Sequence, residues 1–314
     1  MSEPVVAAMP EWYGPQGWTP LPDLVRTLER NPTAFDQRPG AQAGADRLAI
    51  ESAGIDVTDI SIPGPHGPIP ARLYRPADPV ATLVWVHGGA FIFYSLDGPE
   101  AHHTSVGLAA RGIEVLSVDY RKAINGVRYP IPSDDVLAGW LWACDNLSHG
   151  DGATPARMHL GGASAGGNLA AGVAKRLRDG AGPMPASVVL AYPFLGVYSE
   201  PSDVSSPDLF PNWWLEQMAV NYVGTEELLT NPYAFPINGD PAGFPATCLV
   251  LSDDDSIRPC GEAFASQLLA AGVRVQVDVE TGTTHGQLDR PASPAADLTI
   301  QRFADWMLDV RWRR

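Results

Sequence analysis

The chain has 314 residues, 45% hydrophobic and 18% charged, and its 36 acidic and 21 basic side chains leave a net charge of −15. That length supports one large or two modest domains whose core needs no staples. The ordinary apolar content excludes a disordered acidic tail, and a surface this acidic repels nucleic-acid phosphates.

Three cysteines, Cys144, Cys248 and Cys260, show no CxxC spacing, which fits a reducing compartment and neither a disulfide framework nor a zinc site. The start, MSEPVVAAMPEWYG, lacks a basic n-region, and the best apolar stretch, ATLVWVHGGAFIF, is cut by His87 and two glycines. It falls short of the roughly 18 residues a membrane span needs. The expectation is a cytoplasmic protein with no membrane span. Arg311, Arg313 and Arg314 form a basic cluster that reads as a solvated tail end.

In chain order, residues 1–54 are rich in Pro and Trp and contain one helix near Leu21 to Arg30, which reads as an accessory cap segment. IDVTDISI and IPARLYRP alternate apolar and polar residues around GPHG at 64–67, the pattern of an antiparallel hairpin. Strand-like and helical runs then alternate: ATLVWV at 81–86, a helix from His102 to Arg111, IEVLSV at 113–118, and a helix that Ser133 is expected to cap. MHL at 158–160, a helix over Ala165 to Arg178, and ASVVLAY at 186–192 continue the series. ATCLVL at 246–251, a helix over Gly261 to Ala271, VRVQVDV at 273–279 and a last helix behind Ser293 and Pro294 complete it. The order predicts an α/β fold with a mostly parallel central sheet and helices on both faces, built from residues 55–194 and 240–314. Between 195 and 239 the alternation stops, and Phe210, Trp213, Trp214, Met218 and Tyr222 crowd one stretch, which reads as a lid insertion.

The chemistry concentrates at strand ends. Gly162-Ala163-Ser164-Ala165-Gly166 lies between a short strand and a helix, as a strand-turn-helix nucleophile elbow requires. The pentapeptide is common by itself, so its context carries the reading. A phosphate-binding helix entry is the competing account, but neither GxGxxG nor GxxxxGK[ST] is present around it. LVWVHGGAF ends an earlier strand in His87-Gly88-Gly89-Ala90, where small residues let backbone amides approach a ligand oxygen. A serine hydroxyl needs a base, and the base needs a carboxylate to hold it. Of seven histidines, His66, His102, His103, His149 and His159 read as structural or solvated, whereas His285 lies in the loop between the last strand and the last helix. Asp253, Asp254 and Asp255 follow the ATCLVL strand, so the chain order Ser, Asp, His is that of an α/β-hydrolase. A cation site on these aspartates would need further acidic ligands at suitable spacing, and none is present; no metal or cofactor is expected.

From about His87 onward the chain resembles the bacterial hormone-sensitive-lipase family of esterases, in the α/β-hydrolase superfamily. HGGAF followed by SLD resembles that family's HGGGF and SLD, VDYR its DYR, GASAGG its GDSAGG, and THG its HG. DSIRPCGEAFASQLLAAGV resembles DPLRDEGEAYAERLREAGV, and alignment on Arg258 and Gly261 implies that Asp255 is the triad carboxylate. The resemblance further implies Ser164 as nucleophile, His285 as base, the amides of Gly88, Gly89 and Ala165 as the oxyanion hole, and His87 as a scaffold residue. Departures are Ala90 for the third glycine, Ala163 for an acidic residue, KAINGVRYP for LAPEHPFP, and Pro259-Cys260 for an acidic pair.

The reading that follows is a serine ester hydrolase acting on small or medium-sized apolar or aromatic esters. Ala90, Phe91, Phe210, Trp213, Trp214 and Met218 are the candidate substrate-binding residues; for Phe210, Trp213, Trp214, Met218 and Tyr222, with Trp12, Tyr13 and Trp18 of the N-terminal segment, walling a pocket over Ser164 and gluing the lid to the sheet weigh equally. An amidase or formamidase using the same triad is the alternative, and a non-catalytic small-molecule receptor on this scaffold is a more distant one. The face around Phe303, Trp306 and Met307 fits either core or the surface of a homodimer.

Overall fold

The computed structural model describes residues 13–14, 17–35, 50, 53–147, 157–197, 210–291 and 293–309. Trp12, the Tyr13 side chain, His149 and the C-terminal arginines lie outside the described residues. Eight strands form one sheet: β1 (Asp56–Ile62), β2 (Ile69–Arg75), β3 (Ala81–Val86), β4 (Ile113–Val118), β5 (Met158–Ala163), β6 (Ser187–Ala191), β7 (Thr247–Asp254) and β8 (Val275–Thr284). Their spatial order is β8-β7-β6-β5-β3-β4-β2-β1. The hairpin β1–β2 is antiparallel as expected, β2 pairs antiparallel with β4, and every other neighbour is parallel.

The helices are α1 (Leu21–Arg30), α2 (His102–Ala109), α3 (Ile131–Asn146), α4 (Ser164–Arg176), α5 (Asn212–Val223), α6 (Arg258–Ala270) and α7 (Pro294–Leu308). The period-2 geometry of a strand divides its side chains between two faces. In β3, Val84 and Val86 join the core under α3, α4 and α6, while Leu83 and Trp85 join the core under α2 and α7. The central strands have no solvent face, which is why they read as continuous apolar runs. Phe303, Trp306 and Met307 pack into the second core at 0%, 4% and 3% exposure, so that face of α7 is core and not the surface of a dimer.

One local expectation is corrected. Pro130, not Ser133, precedes α3; its ring fits a helix start because the amide it lacks would have had no partner there. Ser133 lies inside the helix, buried, and accepts from Arg176 Nη1 at 2.9 Å. The three cysteines are free and buried.

His159 on β5 is fully buried against Ser187 Oγ at 2.7 Å, and loss of solvation brings its pKa from 6.5 down to about 3. A base depressed in the folded state is neutral there, whereas the unfolded chain takes up a proton below 6.5. Stability is therefore lost as pH falls from about 6.5 toward 3, by about 2 kcal/mol at pH 5 from this residue. Urea unfolding of His159→Asn at pH 7.5 and pH 5 should show a correspondingly smaller drop than the parent chain; equal drops would exclude His159 as the cause.

Candidate active site

The C-terminal ends of β3, β5 and β7 and the loop after β8 converge on Ser164. β5 runs directly into α4 at Ser164, whose φ of +51° is rare for a residue with a Cβ. The turn closes only because its neighbours are small. A Cβ on Gly162 would sit 2.5 Å from Gly166 backbone, and one on Gly166 would sit 2.2 Å from the Val86 carbonyl oxygen.

The tertiary fold brings Ser164, Asp255 and His285 together. His285 Nε2 is 2.9 Å from Ser164 Oγ, and His285 Nδ1 is 2.7 Å from Asp255 Oδ2. A carboxylate only accepts, so Nδ1 carries the ring proton and Nε2 presents its lone pair to the serine hydroxyl. Asp255 is buried, and its other oxygen accepts the Ile257 amide at 3.1 Å. Of the three adjacent aspartates this one reaches the histidine; Asp253 instead accepts from Gly282 at 3.1 Å and pairs with Arg258 at 3.2 Å. Among the described residues no group of three or more His, Cys, Asp or Glu could hold a metal ion. Three other described histidines have other duties: His66 bonds Asp134, His102 bonds Tyr74, and His159 bonds Ser187.

The glycine loop differs from the expectation at one position. The Gly88 amide donates to Glu100 Oε2, so it is not available to an oxyanion. The amides of Gly89 and Ala90 have no acceptor among the described residues, and Ala165 lies in the first turn of α4, where helix geometry leaves N–H groups unpaired. Gly89 and Ala90 have φ of +97° and +51°. The Gly88 carbonyl accepts from Tyr120 Oη at 2.8 Å and His87 Nδ1 at 2.9 Å. Burial first, and then the Lys122 charge, hold the His87 pKa below its usual value, so the ring is neutral, with Nδ1–H donating to Gly88 and Nε2 accepting from Lys122 Nζ at 3.2 Å. Burial alone would raise Asp119, but the Lys122 ammonium bonded to it keeps the carboxyl well below the ordinary range.

Glu100 and Tyr192, both buried, complete the surroundings and had no signature in the sequence, since Glu100 meets partners 12 and 92 residues away. The Tyr192 ring stands edge-on to His285 at 4.9 Å.

The candidate substrate residues separate into two groups. Phe210 packs edge-on to His285 at 5.0 Å, stacks on Trp214 at 5.3 Å and meets Trp18 at 4.9 Å. Ala90 is half-buried on the glycine loop. Phe91 and Met218 belong to the packed core, Phe91 stacked on Tyr222 at 4.0 Å. Trp213 is 43% exposed and faces solvent, because Trp214, Met218 and Tyr222, spaced one turn apart, already fill the inner side of α5. Phe91, Met218 and Trp213 are thus corrected from pocket wall to lid packing or lid exterior.

Comparison with known proteins agrees with the fold. Residues 83–289 match the family model described as alpha/beta hydrolase fold. The carboxylic ester hydrolase LipN of Mycobacterium tuberculosis is 36% identical over 253 residues, spanning 75% of this chain and 65% of LipN. An ethyl acetate hydrolase of Pseudomonas putida is 32% identical over 73% of this chain and 74% of its own length. The solved hyperthermophilic esterase of Pyrobaculum calidifontis covers 94% of this chain and 100% of that one, with a TM-score of 0.74 and 27% identity. The chain belongs to the α/β-hydrolase fold family, among the hormone-sensitive-lipase-like esterases. Among the described residues no helix is long and apolar enough to cross a membrane.

Proposed function

We propose that the chain is a serine carboxylic-ester hydrolase that works through an acyl-enzyme. The observation that carries this reading is the unbroken relay from Asp255 through His285 to Ser164 at 2.7 and 2.9 Å. Ser164 attacks the ester carbonyl as His285 Nε2 takes its proton, and Asp255 stabilises the imidazolium. The amides of Gly89, Ala90 and Ala165 receive the developing oxyanion, Ala90 replacing Gly88 in that role. His285 then protonates the departing alcohol, and water repeats the cycle on the acyl group. Labelling by a fluorophosphonate probe at Ser164, lost on prior incubation with an ester, tests the reading; an unlabelled Ser164 would overturn it and favour a non-catalytic receptor.

Small apolar or aromatic esters are the proposed substrates. Phe210, backed by Trp214 and Trp18, offers an aromatic wall beside the base, where the alcohol departs. The Ala90 methyl narrows the loop on the acyl side, which suits short acyl groups. Residues 195–239 and the N-terminal segment act as the cap in this reading: Leu21 N–H donates to Gln217 at 3.0 Å and Trp214 Nε1 to the Thr19 carbonyl at 3.1 Å. Phe210→Ala should lower kcat/KM for phenyl acetate about tenfold, in line with the roughly 1.4 kcal/mol that truncating a partly buried aromatic contact can cost, and for ethyl acetate by less than threefold. Equal losses on both esters would remove Phe210 from substrate selection. Relatives named as ester hydrolases favour ester over amide cleavage, and a matched anilide should turn over far more slowly than its ester.

A further inference from the structure

Two halves of the site come from distant parts of the chain. The glycine loop follows β3, and the base lies in the loop after β8. A buried carboxylate joins them. Glu100, 2% exposed, accepts the Gly88 amide on Oε2 and the Tyr192 hydroxyl on Oε1 at 2.7 Å. Tyr192 presents its ring edge to His285 at 4.9 Å, and its hydroxyl oxygen accepts the Leu288 amide at 3.3 Å, three residues past the histidine. The Glu100 carbonyl is itself fixed by Trp85 Nε1 at 2.8 Å. A Cβ on Gly88 would fall 2.5 Å from Glu100 Oε2 and 2.9 Å from Ser164 Cβ, so the loop is packed closely against both the carboxylate and the nucleophile.

We propose that Glu100 is a positioning residue that holds the oxyanion loop and, through Tyr192, the His285 loop in a single working geometry. It touches no reacting atom; it acts through the Gly88 and Tyr192 groups it binds. This inference rests on the ester-hydrolase reading of the site.

Burying a carboxylate is costly unless donors compensate it, and here each oxygen has one. Asp289 faces Glu100 across the same space, and its Oδ1 is buried with no hydrogen-bond partner among the described residues. Burial pushes both carboxyls up, and the negative charge of Glu100 pushes Asp289 further. The Gly88 and Tyr192 donors converge on Glu100, so of the two carboxyls Glu100 is the one whose negative charge they offset.

Glu100→Gln preserves shape but replaces one charged acceptor oxygen with an NH2 donor, so Gly88 and Tyr192 stay bonded only if the Tyr192 hydroxyl turns from donating to accepting, and both bonds lose their charge assistance. The expected result is a kcat ten- to a hundredfold lower for p-nitrophenyl acetate, with KM within twofold. Affinity for a trifluoromethyl ketone, which forms a tetrahedral adduct on the serine, should fall by the same factor as kcat/KM, because that adduct needs the same loop geometry. Tyr192→Phe, which leaves the Gly88 bond intact, should lower kcat three- to tenfold at unchanged KM; it carries the test alone if the glutamine variant does not fold. A kcat within 1.5-fold of the parent, or a loss confined to KM, overturns the positioning role. Fluorophosphonate labelling of the parent chain separates the two questions: labelled Ser164 with indifferent variants defeats this inference only, whereas unlabelled Ser164 defeats the enzymatic reading beneath it.

Discussion

Ser164→Ala should lower the turnover of a p-nitrophenyl ester by about 10⁴-fold or more, because serine, histidine and aspartate act as a unit and removing one forfeits the contribution of the others. What remains is binding and the amide donors, which still accelerate attack by water to a small extent. The substitution removes one hydroxyl and its bond to His285 Nε2. Alanine must still adopt the φ of +51° that serine adopts, so the backbone strain is the same before and after. Thermal melting should therefore move little while activity collapses. Steady-state rates and a melting curve on the same preparation check both halves. Retention of more than a few per cent of the parent rate would exclude Ser164 as the nucleophile.

Gly166→Ala should be the most damaging single methyl in the site. A Cβ there would meet the Val86 carbonyl oxygen at 2.2 Å, the His87 carbonyl oxygen at 2.3 Å and the Val86 carbonyl carbon at 2.6 Å. All three are backbone atoms at the end of a central buried strand, with no flexible side chain to give way. Relief requires moving α4 away from the end of β3, and that motion separates Ser164 from the amides of Gly89 and Ala90. Near-attack geometry tolerates little displacement, and a shift of about 1 Å can cost roughly 10²-fold in rate. The expected outcome is at least that loss in kcat, with a lower melting temperature and slower fluorophosphonate labelling. Parent-like kinetics would show that the elbow has more freedom than its packing implies. At Gly17, by contrast, an added methyl would have nothing within 4 Å, so space sets no such constraint there.

Much of the scaffold is legible in the residues themselves. Residues 81–86 and 113–118 are mostly apolar on both faces of the strand, broken only by Thr82, Glu114 and Ser117, because a strand covered on both sides has no solvent face. The β1–β2 hairpin is readable because GPHG interrupts two alternating runs. The helix starting after Ser293 is readable because serine followed by proline fits its N-terminus; Ser293 Oγ accepts the Ala295 amide at 3.2 Å. Ser133 shows the limit of that logic: a proline three residues earlier supplies the start, and the serine goes to a tertiary partner, Arg176.

Within the site, the chemically distinctive groups can be read from the residues alone: a serine in a tight small-residue turn, an aspartate at a strand end, and a histidine before the last helix. These are legible because local geometry or resemblance restricts which residue can stand there. Which loop amides face an oxyanion, which aromatic rings line the pocket, and what secures the loops were decided only by the tertiary structure. Gly88 looks the same in sequence whether its amide faces a substrate or Glu100. Trp213 and Trp214 are neighbours in sequence but lie about 100° apart around a helix, so one faces solvent and the other is buried against Phe210. Glu100 and Tyr192 meet across 92 residues, and no local pattern encodes such a meeting, because the bond exists only once the parallel sheet has brought the C-terminal ends of its strands to one edge.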